Sequence, residues 1–381
     1  MSALVAEADR AAAAGNLSRA INLLEQAGVA DPSDAQLWLK LAALRRAARQ
    51  PGKALDAVNR ALQLAEFDFM ALTMRATLVE QLAPDQAGEA WARALHQRPS
   101  GELPSQLREA LGRGEAIRDR WIAAREQKLV EATAHLADEA TAEEAARIAR
   151  FQSNVLRKTR PYHSEPTHFA FPGLAEREFH PRSEHPWIEQ VEVATDAIAA
   201  ELETVMSAER AELVPYIQYE EHDALAQWRE LNRNPDWTAI HLIRNGERID
   251  ANARHCPATM ELLATLPQPE IPGAGPNAMF SLLAPHTTIP PHVGVNNSRL
   301  VCHLPLVVPP GCWFRVGAET RHWQRGEAFL FDDTIEHEAA NPSDELRVVF
   351  IFDVWHPALT EVEREAVRRV IASEGGVDNA L

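Results

Sequence analysis

The sequence predicts an α+β chain in two parts, a helical N-terminal solenoid and then a compact antiparallel β-barrel or sandwich with flanking helices. Three observations predict this. Residues 1–98 are rich in Ala, Leu, Gln, Glu and Arg, with apolar positions at helical spacing. From residue 278 onwards, short β-prone runs alternate with Pro, Gly and Asn turn residues. Near Leu156, Pro, His and aromatic residues abruptly replace Ala and Glu, which marks the start of the second part.

Composition excludes several classes of protein. The chain has 381 residues, enough for two or three domains, and a formal net charge of −17. Such an acidic chain is not expected to bind nucleic acid or to dock on an anionic membrane. Its three cysteines form no CxxC pair, and no apolar run approaches the roughly 20 residues of a membrane helix. With no N-terminal signal peptide visible, we expect a cytoplasmic protein without a membrane span.

The helical part carries an internal repeat. Pairs of alanines recur after 34 and then 33 residues, and the three pairs are Ala20 with Ala27, Ala54 with Ala61, and Ala87 with Ala94. This is the period of tetratricopeptide helix pairs, in which small residues let helices approach closely; an irregular helical bundle is the alternative. We assign residues 1–100 to this repeat and residues 101–155 to a charged helical capping or connecting segment. The groove of such a stack usually takes peptides or protein partners.

The second part is assigned to residues 156–365, followed by a helix end and tail at 366–381. Its predicted elements are a helix over 186–206, a strand ending at the Asn245-Gly246 hairpin turn, a helix over 257–266, dense strands from 278, and a C-terminal helix that begins at the Thr360 cap and ends near Gly375.

Two histidines at turn-to-strand junctions are candidate metal ligands. His292 and His337 lie 45 positions apart, and imidazole is the commonest protein ligand for a transition metal. Mononuclear iron sites usually add a carboxylate from an H-x-D or H-x-E pair, but here that position is Gly294. Either water fills the third position, or an acid such as Asp333 reaches it. The alternative is that both histidines are ordinary hydrogen-bonded residues.

Arg347 opens the most apolar strand of the chain, ten residues after His337. A charge inside a barrel is costly unless it is paired, and guanidinium binds carboxylates bidentately. A dicarboxylate cosubstrate would satisfy this side chain. The alternative is a salt bridge to an internal acid such as Asp353.

Further polar residues are expected to face the same pocket. Along the strand from Arg299, alternation places Arg299, Val301 and His303 on one face. His303, and Ser281 in another apolar strand, are candidate hydrogen-bond donors to a bound carboxylate. Each of them could instead be a satisfied polar group of the core. Asp332 and Asp333 are candidates for orienting the histidines.

Residues from about 161 to 357 resemble the aspartyl/asparaginyl β-hydroxylase family, most closely over 278–357. The motifs that carry the resemblance are Pro291-His292-Val-Gly294, Arg299-Leu-Val-Cys-His303-Leu, Gly326-Glu-Ala-Phe-Leu-Phe-Asp-Asp333, Glu336-His337-Glu, Arg347-Val-Val-Phe and Asp353-Val-Trp-His-Pro357. The resemblance implies a double-stranded β-helix, a jelly-roll or cupin-like fold, that uses Fe(II), O2 and 2-oxoglutarate. The family's animal members also carry tetratricopeptide repeats before this domain.

The resemblance also implies roles for individual residues. His292 and His337 match the iron ligands, which in this family lack the usual carboxylate. The positions that bind the cosubstrate are matched by Ser281, His303, Arg347 and Trp237, with Arg347 at the catalytic centre. Arg299 matches an arginine on the substrate side. One departure is Val301, where animal members have a second arginine.

The leading hypothesis is therefore a dioxygenase that hydroxylates the β-carbon of an Asp or Asn residue in a peptide or protein, with the helical groove engaging that substrate. A lipid or small molecule is an alternative substrate, because fold and iron site do not fix the substrate. A halogenase is a variant, since Gly294 leaves room for halide. The alternative from another class is a scaffold protein whose barrel is catalytically silent.

Overall fold

The computed structural model describes residues 3–136, 138–208, 213–216, 218 and 231–375. The chain divides into two compact units, Met1–Thr141 and Ala142–Leu381. The predicted α+β architecture is confirmed: the first unit is helical and the second contains the β-sheets. Within the described residues, no helix combines the length and apolarity needed to cross a membrane.

The first unit is a succession of helices, each packed on the next. They are α1 Ala3–Ala13, α2 Leu17–Ala30, α3 Ala35–Ala47, α4 Pro51–Leu64, α5 Phe69–Leu82, α6 Ala87–His96 and α7 Ser105–Thr133. Side chains cap three of them: Asn16, Asp34 and Asp68 accept hydrogen bonds from backbone N–H groups in the first turns of α2, α3 and α5.

The repeated alanines mark the contacts between these helices. All six are buried on α2, α4 and α6, the second helices of successive pairs, with at most 2% exposure. The tetratricopeptide-like arrangement predicted from their period is therefore confirmed. Glycines extend the same principle to α7. A Cβ on Gly88 would lie 2.2 Å from Trp121, and one on Gly114 would lie 2.3 Å from Trp91, so only glycine permits this close approach.

The second unit begins with helix α8. Its helices are α8 Ala142–Val155, α9 Ile188–Val193, α10 Thr195–Met206, α11 Asp250–Ala253, α12 Pro257–Leu263 and α13 Glu361–Ser373. Its strands are β1 Phe179–His180, β2 Val214–Pro215, β3 Trp237–Arg244, β4 Glu247–Arg248, β5 Ala278–Leu283, β6 Thr287–His292, β7 Arg299–Val307, β8 Trp313–Val316, β9 Glu319–His322, β10 Phe329–Phe331, β11 His337–Asn341 and β12 Arg347–Trp355.

Most of the predicted elements are present, with two differences. The helix expected over 186–206 is interrupted between α9 and α10. Helix α8, which the sequence places in the connecting segment, lies in the second unit. There Arg150 forms ion pairs with Glu178 and Glu319. The predicted hairpin is confirmed, since Asn245 and Gly246 both have positive φ between β3 and β4.

Two antiparallel sheets form the barrel. The large sheet runs β1-β10-β7-β12-β5-β3-β2, with β4 paired to β3, and the small sheet runs β6-β11-β8-β9. One core lies between the large sheet and helices α9, α10 and α12, and includes Phe280 and Phe350. The other lies between the two sheets and includes Met279, Val349 and Phe314. Strand alternation sends successive side chains to these two cores in turn, which leaves the candidate site in the second.

Candidate active site

A cleft of about 640 Å³, open to solvent at its mouth, lies between the inner faces of the two sheets. Its lining is mainly aromatic and aliphatic, with a few polar groups. The lining residues are Tyr216, Trp237, Ser281, Ile289, His292, Gly294, Val301, His303, Phe314, Trp323, Phe331, Asp333, His337, Ala339, Arg347 and Ile351. An apolar pocket with few convergent polar groups is the usual form of a small-molecule site.

The small sheet brings His292 and His337 together. His292 ends β6, His337 begins β11, and the two are partners across this antiparallel pair. Their ring centroids lie 3.9 Å apart. The Nδ1 of His292 donates to the carbonyl of Pro290 at 2.8 Å, and that of His337 donates to the carbonyl of Ile335 at 3.0 Å. Each Nδ1 is thereby fixed as the protonated nitrogen, so each Nε2 carries the lone pair that a metal requires.

Burial keeps both imidazoles neutral. Desolvation lowers the pKa of His337 to about 4 and takes that of His292 well below its usual range. A neutral imidazole binds a metal, whereas an imidazolium does not. The pair is therefore in the protonation state of a ligand pair at neutral pH.

Gly294 and Asp333 share one space. A Cβ on Gly294 would lie 2.1 Å from the Oδ2 of Asp333, so the Asp333 carboxylate stands where a side chain at 294 would begin. The Asp333 carbonyl also accepts the Gly294 N–H, at 2.6 Å. Within the described residues, one group of three metal-type donors has all its ligand atoms within 4.8 Å of one another, and it lies elsewhere in the unit. Asp333 therefore adjoins the histidine pair without closing a three-ligand set.

Arg299 holds Asp333 in this place. Its Nη2 donates to Asp333 Oδ2 at 3.0 Å, and its Nε lies 3.7 Å from Asp353 Oδ2. Arg299 is 3% exposed and is not part of the cleft lining. Arg299 instead lines a second pocket together with Asp353, and its contact with a substrate stays a prediction. Alternation correctly brings Val301 and His303 to the cleft, but at the start of β7 the longer arginine turns to two acids that sequence alone did not connect with it.

Arg347 is buried without an acidic partner. It is 2% exposed, and its Nη1 lies 3.4 and 3.5 Å from the carbonyl and hydroxyl oxygens of Ser281. Its guanidinium carbon lies 4.7 Å from the Trp323 ring centroid. In the described part of the chain no carboxylate pairs with it, and its Nε has no hydrogen-bond partner. The alternative of a salt bridge to Asp353 is wrong, because Asp353 pairs with Arg299 and accepts from Asn277.

Burial lowers the pKa of Arg347 to about 10, which still leaves it charged at neutral pH. A buried charge of this kind is costly unless a ligand pairs with it. Its two neighbours in the cleft are also polar. Ser281 accepts a hydrogen bond from Trp237 Nε1 at 3.1 Å. The Nδ1 of buried His303 has no hydrogen-bond partner among the described residues, and burial with the nearby Arg347 charge holds the pKa of His303 far below its usual range.

Sequence reasoning did not identify four aromatic side chains of the cleft, namely Tyr216, Phe314, Trp323 and Phe331. Tyr216 stacks on Trp237 with ring centroids 3.9 Å apart. Trp323 and Phe314 stack at 5.6 Å and cover His303 and Arg347. Tyr216 belongs to a short edge strand region and Trp323 to a loop, so neither carries a periodic signal that would have pointed to the pocket.

The sequence of the second unit is similar to those of known proteins. Residues 192–357 match the family model described as Aspartyl/Asparaginyl beta-hydroxylase. The chain is 37% identical over 154 residues, 39% of its length, to the human aspartate beta-hydroxylase domain-containing protein 2, and 31% identical over 219 residues, 56% of its length, to the Xenopus tropicalis protein of that name. It is 35% identical over 144 residues, 38% of its length, to the human aspartyl/asparaginyl beta-hydroxylase.

Each match covers only part of this chain and only part of the relative. The chain covers 42%, 56% and 19% of the lengths of those three relatives, respectively. All three names refer to a β-hydroxylase, and the family match spans His292, His337 and Arg347. Through its second unit, the chain is therefore similar to the aspartyl/asparaginyl beta-hydroxylase family.

Proposed function

We propose that the second unit is a hydroxylase that depends on Fe(II) and 2-oxoglutarate and acts on an Asp or Asn side chain of a peptide or protein. One observation carries the proposal: the charged, buried Arg347 has no acidic partner in the described chain and lines the same cleft as the neutral pair His292 and His337. Arg347 can pair with a carboxylate, and the histidine pair can bind a metal ion. This combination fits 2-oxoglutarate, which would bind the metal at one end and the guanidinium at the other.

The donor set suits Fe(II). His292 and His337 would hold the ion through their Nε2 atoms, because their Nδ1 atoms are committed to backbone carbonyls. When bound, the ion supplies oxygen activation coupled to the decarboxylation of 2-oxoglutarate to succinate. The Asp333 carboxylate beside the pair adds negative charge that favours a cation. The same carboxylate fills the space at Gly294, so it argues against the halide site that a halogenase would need there.

The remaining groups would position the cosubstrate. Arg347 would bind the distal carboxylate, and the hydroxyl of Ser281 and the ring of His303 would complete its hydrogen bonds. Trp237 holds the Ser281 hydroxyl in place by donating to it. Stacked Trp323 and Phe314 would exclude water, which strengthens the ion pair between Arg347 and a carboxylate.

The choice of substrate rests on the relatives. Two of them are named for a domain and one for an activity on aspartyl and asparaginyl residues. The helical unit has the tetratricopeptide-like arrangement that generally binds peptides, which favours a polypeptide over a lipid or small molecule. A silent scaffold is disfavoured because a buried arginine without a ligand would cost stability and serve no purpose.

Succinate formation tests this proposal. Purified full-length protein would be incubated with Fe(II), ascorbate, 2-oxoglutarate and peptides that contain Asp, Asn or, as a control, only Ala. We expect wild-type turnover that depends on Asp or Asn, and its loss in His337→Ala and Arg347→Met. The matched controls His286→Ala and Arg325→Met alter exposed side chains and are expected to keep activity. Equal turnover in Arg347→Met would contradict the cosubstrate assignment, and hydroxylation of a lipid or small molecule instead of the peptides would contradict the substrate.

A further inference from the structure

A second cluster of metal-type donors lies outside the cleft. His180, Glu184 and His185 place one ligand atom each within 4.8 Å of the others, and none of the three lines the cleft. Within the sequence FHPRSEHPW they span six positions. One tight turn brings them together: β1 ends at His180, a 3-10 helix follows over Arg182–Glu184, and the His185 N–H donates to the Arg182 carbonyl at 2.9 Å.

The two histidines of this cluster are buried with unused nitrogens. His180 is 6% exposed and His185 is 2% exposed. Both ring nitrogens of His180 and the Nε2 of His185 lack a hydrogen-bond partner among the described residues. Buried polar atoms are nearly always paired with protein or water, since an unpaired group costs about 1–3 kcal/mol. A metal ion that takes one nitrogen from each histidine would pair two of these three nitrogens.

Glu184 supplies a carboxylate as the third metal-type donor, and the cluster is reached from solvent at this residue. Its side chain is 37% exposed, so the cluster reaches the surface at this residue. Its Oε1 accepts from Arg177 Nη1 at 2.6 Å. Two imidazoles and a carboxylate, with solvent at the remaining position, form a known donor set for zinc.

We propose that His180, Glu184 and His185 form a second metal site, which takes a divalent transition ion of the zinc type. The site lies at the edge of the large sheet, where His180 is the partner of Leu330 in β10. His356 packs against His180 with ring centroids 5.2 Å apart, but it is not a ligand. Its Nδ1 accepts the Ala358 N–H, so this nitrogen cannot carry the proton that a metal on Nε2 requires.

The competing explanation is a neutral histidine cluster that packs edge to face without an ion. Metal content separates the two. Full-length, tag-free protein would be stripped with chelator, reconstituted with Zn²⁺ and gel-filtered before elemental analysis. The double variant His292→Ala/His337→Ala serves as background, because it removes the pair in the cleft. We expect one equivalent of Zn²⁺ in this background, with the d–d absorption of a four-coordinate site when Co²⁺ replaces it.

Single substitutions in that background assign the ligands. We expect Glu184→Gln and His185→Asn each to weaken Zn²⁺ binding at least about tenfold. Glu184 is exposed, so Glu184→Gln is expected to fold even where the histidine change does not. Glu189→Gln makes the same charge change at an exposed position of α9 and is expected to bind Zn²⁺ normally. The proposal is overturned if the background holds no Zn²⁺, or if Glu184→Gln binds it as tightly as Glu189→Gln does.

Discussion

Arg299 and Arg347 lie on the paired strands β7 and β12, and both guanidinium groups are buried, yet their surroundings are opposite. Arg299 lies against Asp333 and Asp353. Arg347 faces a hydroxyl, a carbonyl and an indole, with no carboxylate from the described chain. The contrast separates two uses of a buried cation. The first is neutralised by two acids of the protein, while the second has no acidic partner among the described residues, which is why we propose that it binds the carboxylate of a ligand.

The largest expected effect is on stability, in Arg299→Met. This change leaves two buried carboxylates without their cation, which typically destabilises by about 3–5 kcal/mol. Urea unfolding followed by tryptophan fluorescence measures the loss. The matched variant Arg347→Met is expected to leave the free energy of unfolding unchanged or to raise it by about 1 kcal/mol, because it removes a buried charge that lacks an acid. If both variants lose the same free energy of unfolding, the proposed difference between the two arginines is wrong.

The second prediction concerns binding by Arg347→Met. Loss of a charged hydrogen-bonding partner costs about 2–3 kcal/mol, so we expect the Kd for 2-oxoglutarate to rise about thirtyfold or more. Calorimetry with Mn(II) in place of Fe(II) measures this Kd without turnover. The conservative Arg347→Lys is expected to recover part of the affinity, because it restores the charge without the bidentate geometry. An unchanged Kd in Arg347→Met would show that the carboxylate binds elsewhere.

The third prediction tests the contribution of the contact between Arg299 and Asp333 to stability. In Gly294→Ala the new Cβ overlaps the Asp333 carboxylate and must displace it from Arg299. We expect destabilisation of about 1–3 kcal/mol, measured by thermal and urea unfolding. Gly112→Ala meets no atom within 4 Å and is the control. It lies inside helix α7, where alanine is favoured over glycine, so no loss is expected there.

The fourth prediction concerns the change of stability with pH, which is the smallest effect when it is expressed per pH unit. Burial raises the pKa of Asp353 from 3.8 to about 6. The folded protein therefore holds this proton more tightly than the unfolded chain does, and the resulting stability is present below about pH 4 and is lost as pH rises through 6. Between these values we expect wild type to lose up to about 1 kcal/mol per pH unit relative to Asp353→Asn.

Chemical denaturation at a series of pH values gives this slope, which is independent of any constant offset between the two proteins. A parallel pH dependence for wild type and Asp353→Asn would mean that Arg299 keeps Asp353 ionised across the whole range.

Local signals in the sequence were sufficient for much of the fold. The 34- and 33-residue spacing of alanines predicted which helix faces are buried, because a solenoid repeats one contact along the chain. Turn chemistry predicted the Asn245-Gly246 hairpin, and the Thr360 cap predicted the start of α13, where the structure adds a reciprocal hydrogen bond to the Glu363 side chain. The break between α9 and α10 was not predicted, since its apolar residues continue at helical spacing on both sides.

The candidate site was less accessible to sequence reasoning, because its pairings are non-local. Strand alternation placed Val301 and His303 in the cleft, and motif resemblance singled out His292, His337 and Arg347. Their roles as iron and cosubstrate ligands remain predictions. The acids that neutralise Arg299 lie 34 and 54 positions away, on other elements, so spacing could not identify them. From the sequence, the segment His180-Pro-Arg-Ser-Glu-His185 was noted only as part of the change in composition, and no metal site was predicted there.

The shared space of Gly294 and Asp333 also limits how this protein can change. A carboxylate at position 294 would create the third ligand of the usual iron triad, but the first atom of any such side chain collides with Asp333. The two substitutions would therefore be epistatic, and their order matters. Asp333 would have to be replaced by a smaller residue before Gly294 could be replaced by a larger one. The variant with only the first substitution would leave Arg299 without one of its acids. A directed-evolution library that varies position 294 alone should return glycine, whereas one that varies 294 and 333 together opens a route to a different ligand set.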